Sequence, residues 1–157
     1  LAYVMSSFGI VQWAKIPRKE AVKFMQSYFA CYPGVRAYME RTKKEVAERG
    51  YVETLLGRRR YFQQLDSRAE REAINMPIQG FAADIMKLAM LRVNEKIKSG
   101  ELNADLVLQI HDELLFEIDD AYIKASADLI KGTMESVMKL RVPLKVDIKV
   151  GENWGEI

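Results

Sequence analysis

The 157-residue sequence, with 49% hydrophobic and 29% charged side chains, 9 Gly and 4 Pro, has the make-up of about one globular domain and excludes disordered and low-complexity classes. Its single cysteine, Cys31, excludes an internal disulfide and a cysteine zinc knuckle and fits a reducing, cytoplasmic setting. No apolar run approaches the roughly 18 residues that span a bilayer, so no membrane partner is expected. The net charge of +2 hides a polarity: residues 1–60 carry 12 basic and 5 acidic side chains, residues 101–120 carry 7 acidic ones and no Lys or Arg. A site that joins phosphates through divalent ions needs both signs, although helix faces charged for solubility give the same count.

The chain opens on Leu1 within an apolar-aromatic stretch, and an upstream element is expected to precede it. Tyr3, Phe8 and Trp13 read as core rather than as base-stacking groups. Pro17 suits a first helical position, and Ala21, Val22, Phe24, Met25, Tyr28 and Phe29 recur at helical spacing up to Pro33. Pro33 opens a second helix with Val35, Tyr38, Met39 and Val46 on one stripe and Gly50 as its stop, which completes a helical hairpin. From Tyr51 the pattern turns to two short strands around a turn, with Arg58, Arg59 and Arg60 at the tip.

Ser67 and Glu70 have capping-box spacing and start a long helix whose apolar positions include Ile74, Ile78, Ile85, Leu88, Ala89 and Val93; Pro77 predicts a kink and Gly100 the end. Leu106–Ile110 and Leu114–Ile118 are β-rich runs separated by His111, Asp112 and Glu113, a hairpin with acid at its bend. Asp119 or Asp120 is expected to cap a helix through Lys139. Leu144, Val146, Ile148 and Val150 then alternate with Lys145, Asp147 and Lys149 as a half-buried strand.

Three groups of residues are candidates for chemistry. His111, Asp112 and Glu113 are metal-capable, but neighbouring residues of a strand point to opposite faces, so these three alone make no full chelate; a solvent-facing acidic turn is the plainer reading. Arg71, Asn75 and Gln79, four apart on one helix face and followed by Gly80, can reach minor-groove acceptors and phosphates, or form an ordinary polar face. Arg58, Arg59 and Arg60 suit a phosphate backbone or a solvated hairpin.

In combination and in order, these pieces resemble family A DNA polymerases. YVETLLGRRRY at 51–61 is similar to that family's GYVETLFGRRRY, residues 70–87 are similar to its ER-x-AxNxPIQGxAADIxK helix, QIHDELLFE at 109–117 is similar to its palm hairpin, and the closing VPLKVDIKVGENW also matches. Val4 and Phe81 depart from the usual Gly and the usual Ser or Thr.

The resemblance implies an α+β fold in which an antiparallel palm-type sheet with the His-Asp-Glu hairpin packs on long helices, beside a helical fingers portion. Residues 1–66 would be the fingers-derived helical hairpin and Arg-rich β-hairpin, and 67–157 the palm portion. Asp112 is implied as the second metal-binding aspartate, Glu113 as the neighbouring acid, and His111 as a group beside the primer terminus. Arg71, Asn75 and Gln79 are implied as contacts to template and minor groove, and Tyr3 as the tyrosine at the nucleotide-insertion site.

The implied reaction is template-directed attack of a primer 3′ hydroxyl on the α-phosphorus of a deoxynucleoside triphosphate, with two Mg²⁺ ions, for which Mn²⁺ can substitute. The implied partners are primer-template DNA, deoxynucleoside triphosphates and upstream polymerase segments. The first catalytic aspartate and the nucleotide-gripping fingers helix are expected upstream of Leu1, leaving the isolated chain incomplete. A binding-only primer-template module is the alternative. A metal-dependent phosphohydrolase centred on Asp112 is a third reading, for which no further ligands are evident.

Overall fold

A computed structural model describes residues 7–156. They divide into two compact units, the first ending at Phe81 and the second beginning at Ala82. The first unit opens with α1 (Ser7–Ala14), α2 (Arg18–Cys31) and α3 (Pro33–Arg49). Pro33 takes the first turn of α3, where its missing N–H costs nothing, and Gly50 closes the helix at φ +74 with its N–H on the Val46 carbonyl. Pro17 stands one place earlier than expected, as the residue before α2. The sequence did not reveal α1 as a helix, and its aromatic residues are not core: Phe8 is 68% and Trp13 79% exposed, while Ile10 is buried. Eight residues bury one narrow stripe, and Ile10 occupies it.

Beyond Gly50, β1 (Tyr51–Glu53) pairs antiparallel with β2 (Arg59–Tyr61). Thr54 builds the turn between them. Its hydroxyl oxygen accepts the N–H groups of Leu56 and Arg58, and its backbone N–H donates to the Arg58 carbonyl. That turn decides the register, placing Arg59 opposite Glu53 and Arg60 opposite Val52. The arginines therefore lie along β2 and just before it; Leu55, Leu56 and Gly57 hold the tip.

The long helix α4 runs from Ser67 to Lys98 without interruption at Pro77. Its N-cap is Asp66, whose Oδ1 accepts the N–H groups of Ala69 at 2.7 Å and Arg68 at 2.9 Å. The Ser67–Glu70 capping box does not form, because Glu70 pairs instead with Lys43 of α3 at 2.6 Å. The Ala69 N–H, aided by that of Arg68, holds the Asp66 carboxyl below the usual carboxylate range. Val46, Val52 and Ala73 form the core of this unit, with Phe62 and Met76 against them.

In the second unit the C-terminal half of α4 supplies Val93 to a core with Leu102, Ala104 and Ile130. Ile78, one of the apolar positions of this helix, is 60% exposed and lies in neither core. After Gly100, at φ +77, β3 (Asp105–Ile110) and β4 (Glu113–Glu117) pair antiparallel, with a register irregularity between Leu106 and Leu108. Phe116 and Ile118 anchor this hairpin on the core.

Asp119 leads through a single turn, Asp120–Tyr122, into α5 (Ile123–Glu135), which stops four residues short of the expected Lys139. Ser126 ties α5 back by donating to the Asn103 carbonyl. The alternating run 144–150 is not a strand among the described residues. Alternation supplies one apolar face but no ladder partner, and Ile148 and Val150 remain exposed.

Candidate functional site

Arg71, Asn75 and Gln79 fall four apart on α4, and therefore on one helix face, as their spacing requires. Arg71 and Gln79 are exposed and Asn75 is half-buried. None of the three side chains is engaged by a hydrogen bond or ion pair among the described residues, so amide and guanidinium donors are open to a ligand. The acids beside them are committed: Glu70 to Lys43, and Glu72 to both Arg60 and Arg68. With Glu70 and Glu72 so neutralised, the field at the face is set by Arg71 and its donors.

Gly80 closes this face against the β1–β2 hairpin. A Cβ at that position would stand 2.9 Å from the Thr54 methyl, so the close approach that a glycine allows there is one of protein to protein.

The arginines of the hairpin are less free than their exposure suggests. Arg59 donates to Glu53 at 2.9 Å and lies 4.7 Å from the centre of the Tyr51 ring, which Arg49 also covers at 4.7 Å. Arg60 pairs with Glu72 and stacks on Phe62. Arg58 is exposed and bound through its backbone N–H to the Thr54 oxygen. Internal pairs of this kind are weak at a surface and yield to a multivalent anion.

In the second unit, the bend between β3 and β4 consists of His111 and Asp112, and Glu113 already belongs to β4 opposite Ile110. His111 has φ +51, an uncommon conformation for a residue with a Cβ, and its carbonyl accepts from the Gln109 amide at 2.6 Å. All three side chains are exposed. Asp112 and Glu113 have no ion-pair partner among the described residues.

Such oxygen donors fit Mg²⁺, which is held by one or two carboxylates and completes its shell with water and phosphate. No group of three His, Cys, Asp or Glu residues forms a ready metal cage among the described residues. The other acids of the 101–120 segment lie elsewhere: Glu101 pairs with Lys96, Asp105, Glu117 and Asp119 line a cleft at the open end of the hairpin, and Asp120 begins the single turn before α5. The concentrated negative charge is thus divided between the two ends of one hairpin.

Tyr3 lies outside the described residues. Of the residues that support these side chains, Thr54, Asp66 and Glu72 were not singled out from sequence, and Tyr38 was read only as part of the stripe of α3. Two of them left a signal in the sequence: Thr54, a β-branched hydroxyl residue four before an Arg in a turn, and Asp66, an acid directly before the first residue of a helix. No helix among the described residues is long and apolar enough to cross a membrane.

The family model for DNA polymerase family A matches residues 1–156. DNA polymerase I of Pseudomonas aeruginosa is 45% identical over 99% of this chain and 18% of its own length. The thermostable DNA polymerase I of Thermus thermophilus is 46% identical over 97% of this chain and 19% of its own length. Among solved structures, the POL domain of Pol1 from M. smegmatis, in complex with DNA primer-template and dNTP, superimposes with a TM-score of 0.84 at 40% identity, over 92% of this chain and 27% of that one. The chain thus spans about a fifth of the length of these polymerase relatives.

Proposed function

This chain belongs to DNA polymerase family A, and we propose that it is the part of a DNA-directed DNA polymerase that holds the primer-template duplex and supplies the Asp112–Glu113 side of a two-metal nucleotidyl-transfer site in DNA replication or repair. The single observation that carries the reading is the exposed Asp112 carboxylate at the β3–β4 bend, unengaged by any ion pair among the described residues. Residues up to 66 act as the fingers-derived portion and those from 67 as the palm portion.

Arg71, Asn75 and Gln79 hold the duplex by phosphate and minor-groove contacts, which fix register without reading sequence. Arg58, Arg59 and Arg60 add backbone contacts once phosphate displaces Glu53 and Glu72. Asp112 is the carboxylate that binds the ions, Glu113 adds negative charge beside it, and the His111 ring stands at the primer end. Asp112 would hold Mg²⁺ or Mn²⁺, which when bound would supply positive charge to acidify the primer hydroxyl and to neutralise the leaving pyrophosphate. Tyr3 borders the incoming deoxynucleotide. The setting is cytoplasmic, with upstream polymerase segments supplying the opposite carboxylate and the triphosphate grip.

In the full-length polymerase, Asp112→Asn is expected to lower template-dependent incorporation at least 100-fold while leaving duplex affinity within about twofold, since the carboxylate acts in charge stabilisation rather than in DNA binding. Incorporation at the parental rate would overturn the reading. For the chain by itself a binding-only module is the second reading, favoured by the absence of a three-ligand metal group among the described residues.

A further inference from the structure

Pro77 sits eleven residues into α4 and cannot donate to the Ala73 carbonyl, so the turn beneath Asn75 lacks one rung of its ladder. Ala73 and Ile74 are buried, at 0% and 2% exposure, so water is a poor substitute there. A side chain from α3 reaches this turn: the Tyr38 hydroxyl donates to the Ile74 carbonyl at 2.8 Å, across 36 residues of sequence. Burial pushes the Tyr38 hydroxyl above its ordinary pKa and keeps it a donor. The Lys43–Glu70 pair and the Val46–Ala73 packing fasten α3 to the flanking turns of α4 but leave the proline turn to Tyr38.

We propose that Tyr38 is a positioning residue for the DNA-holding face: its hydroxyl sets the pitch of α4 at Pro77 and so aligns Asn75 with Arg71 and Gln79. The inference rests on the reading of that face as a duplex contact. A helix free to flex at its missing rung would present the three donors out of line, and the duplex would meet two of them at best.

The test measures primer-template dissociation constants and steady-state kinetics for the full-length polymerase carrying Tyr38→Phe, Asn75→Ala and both together. Tyr38→Phe keeps the ring and removes only the donor, so it is expected to fold. Loss of one hydrogen bond's ordering predicts about fivefold weaker duplex binding, an unchanged salt slope, and an unchanged KM for deoxynucleotide. In the Asn75→Ala background the same change is expected to add less than twofold, because the residue it aligns is gone. Parental duplex affinity in Tyr38→Phe with weakened binding in Asn75→Ala overturns the positioning role and leaves the DNA-holding face standing. Equal, additive losses in both backgrounds overturn it as well. Parental affinity in all three variants removes the DNA-holding face itself, and the positioning role with it.

Discussion

His111 illustrates how a single residue can be held where its own backbone resists. At φ +51 a side chain crowds the carbonyl, at a cost of about 1–2 kcal/mol that glycine avoids. Glycine also loses roughly 0.5–1 kcal/mol through the greater freedom of its unfolded chain. The difference predicts that His111→Gly stabilises the chain by about 0.5–1 kcal/mol in urea unfolding, while the full-length polymerase loses incorporation through the missing ring. A variant no more stable than the parent would show that the turn carries no strain. The identities of His111, Asp112 and Glu113 were legible in the sequence, since three such residues between two β-rich runs mark a bend. The strain was not, because a backbone angle follows from the register that Ile110 and Glu113 impose on both strands.

At the scale of elements, Gly80 shows why a helix residue is chosen against its propensity. Alanine in a helix interior is ordinarily better than glycine by about 1 kcal/mol. Here the added methyl would stand 2.9 Å from the Thr54 Cγ2, and Thr54 is buried and anchored through its hydroxyl to two backbone N–H groups. Overpacking of this kind costs about 1–3 kcal/mol, so Gly80→Ala is expected to destabilise by about 1 kcal/mol net. Thr54→Ser removes the methyl and keeps the hydroxyl; in the Gly80→Ala background it is expected to turn the loss into a gain, read as the denaturation midpoint. Failure of that rescue would place the clash elsewhere.

The same contact marks the limit of sequence reading for α4. Its start near Ser67 and its end before Gly100 follow from local chemistry, whereas it passes Pro77 without interruption. Its cap passed from Ser67 to Asp66 because Lys43, from another helix, claimed Glu70. Residues 144–150 failed as a strand for a similar reason, since a ladder needs a partner that no alternation supplies.

For the molecule as a whole, the charge pattern predicts behaviour more than shape. A duplex met by Arg71 and by arginines released from Glu53 and Glu72 gives binding that weakens steeply with salt, with a slope of about −0.9 for each phosphate neutralised. The purified 157-residue chain is therefore expected to bind primer-template DNA more weakly as salt rises, yet to extend no primer with Mg²⁺ and all four deoxynucleotides. Extension by the chain alone would refute its proposed dependence on upstream segments, and salt-independent binding would refute the phosphate contacts.

Sequence by itself determined the family, the order of α2 to α5 and the two hairpins, and which residue types gather at the β3–β4 bend and on the α4 face, because these depend on spacing along the chain. Tertiary structure alone decided which charges are free. Glu72 holds Arg60 and Arg68, Tyr38 reaches the Ile74 carbonyl, and Thr54 limits residue 80 to glycine. Each of these depends on a distance of a few ångströms between residues remote in sequence, and such distances come from how the elements pack.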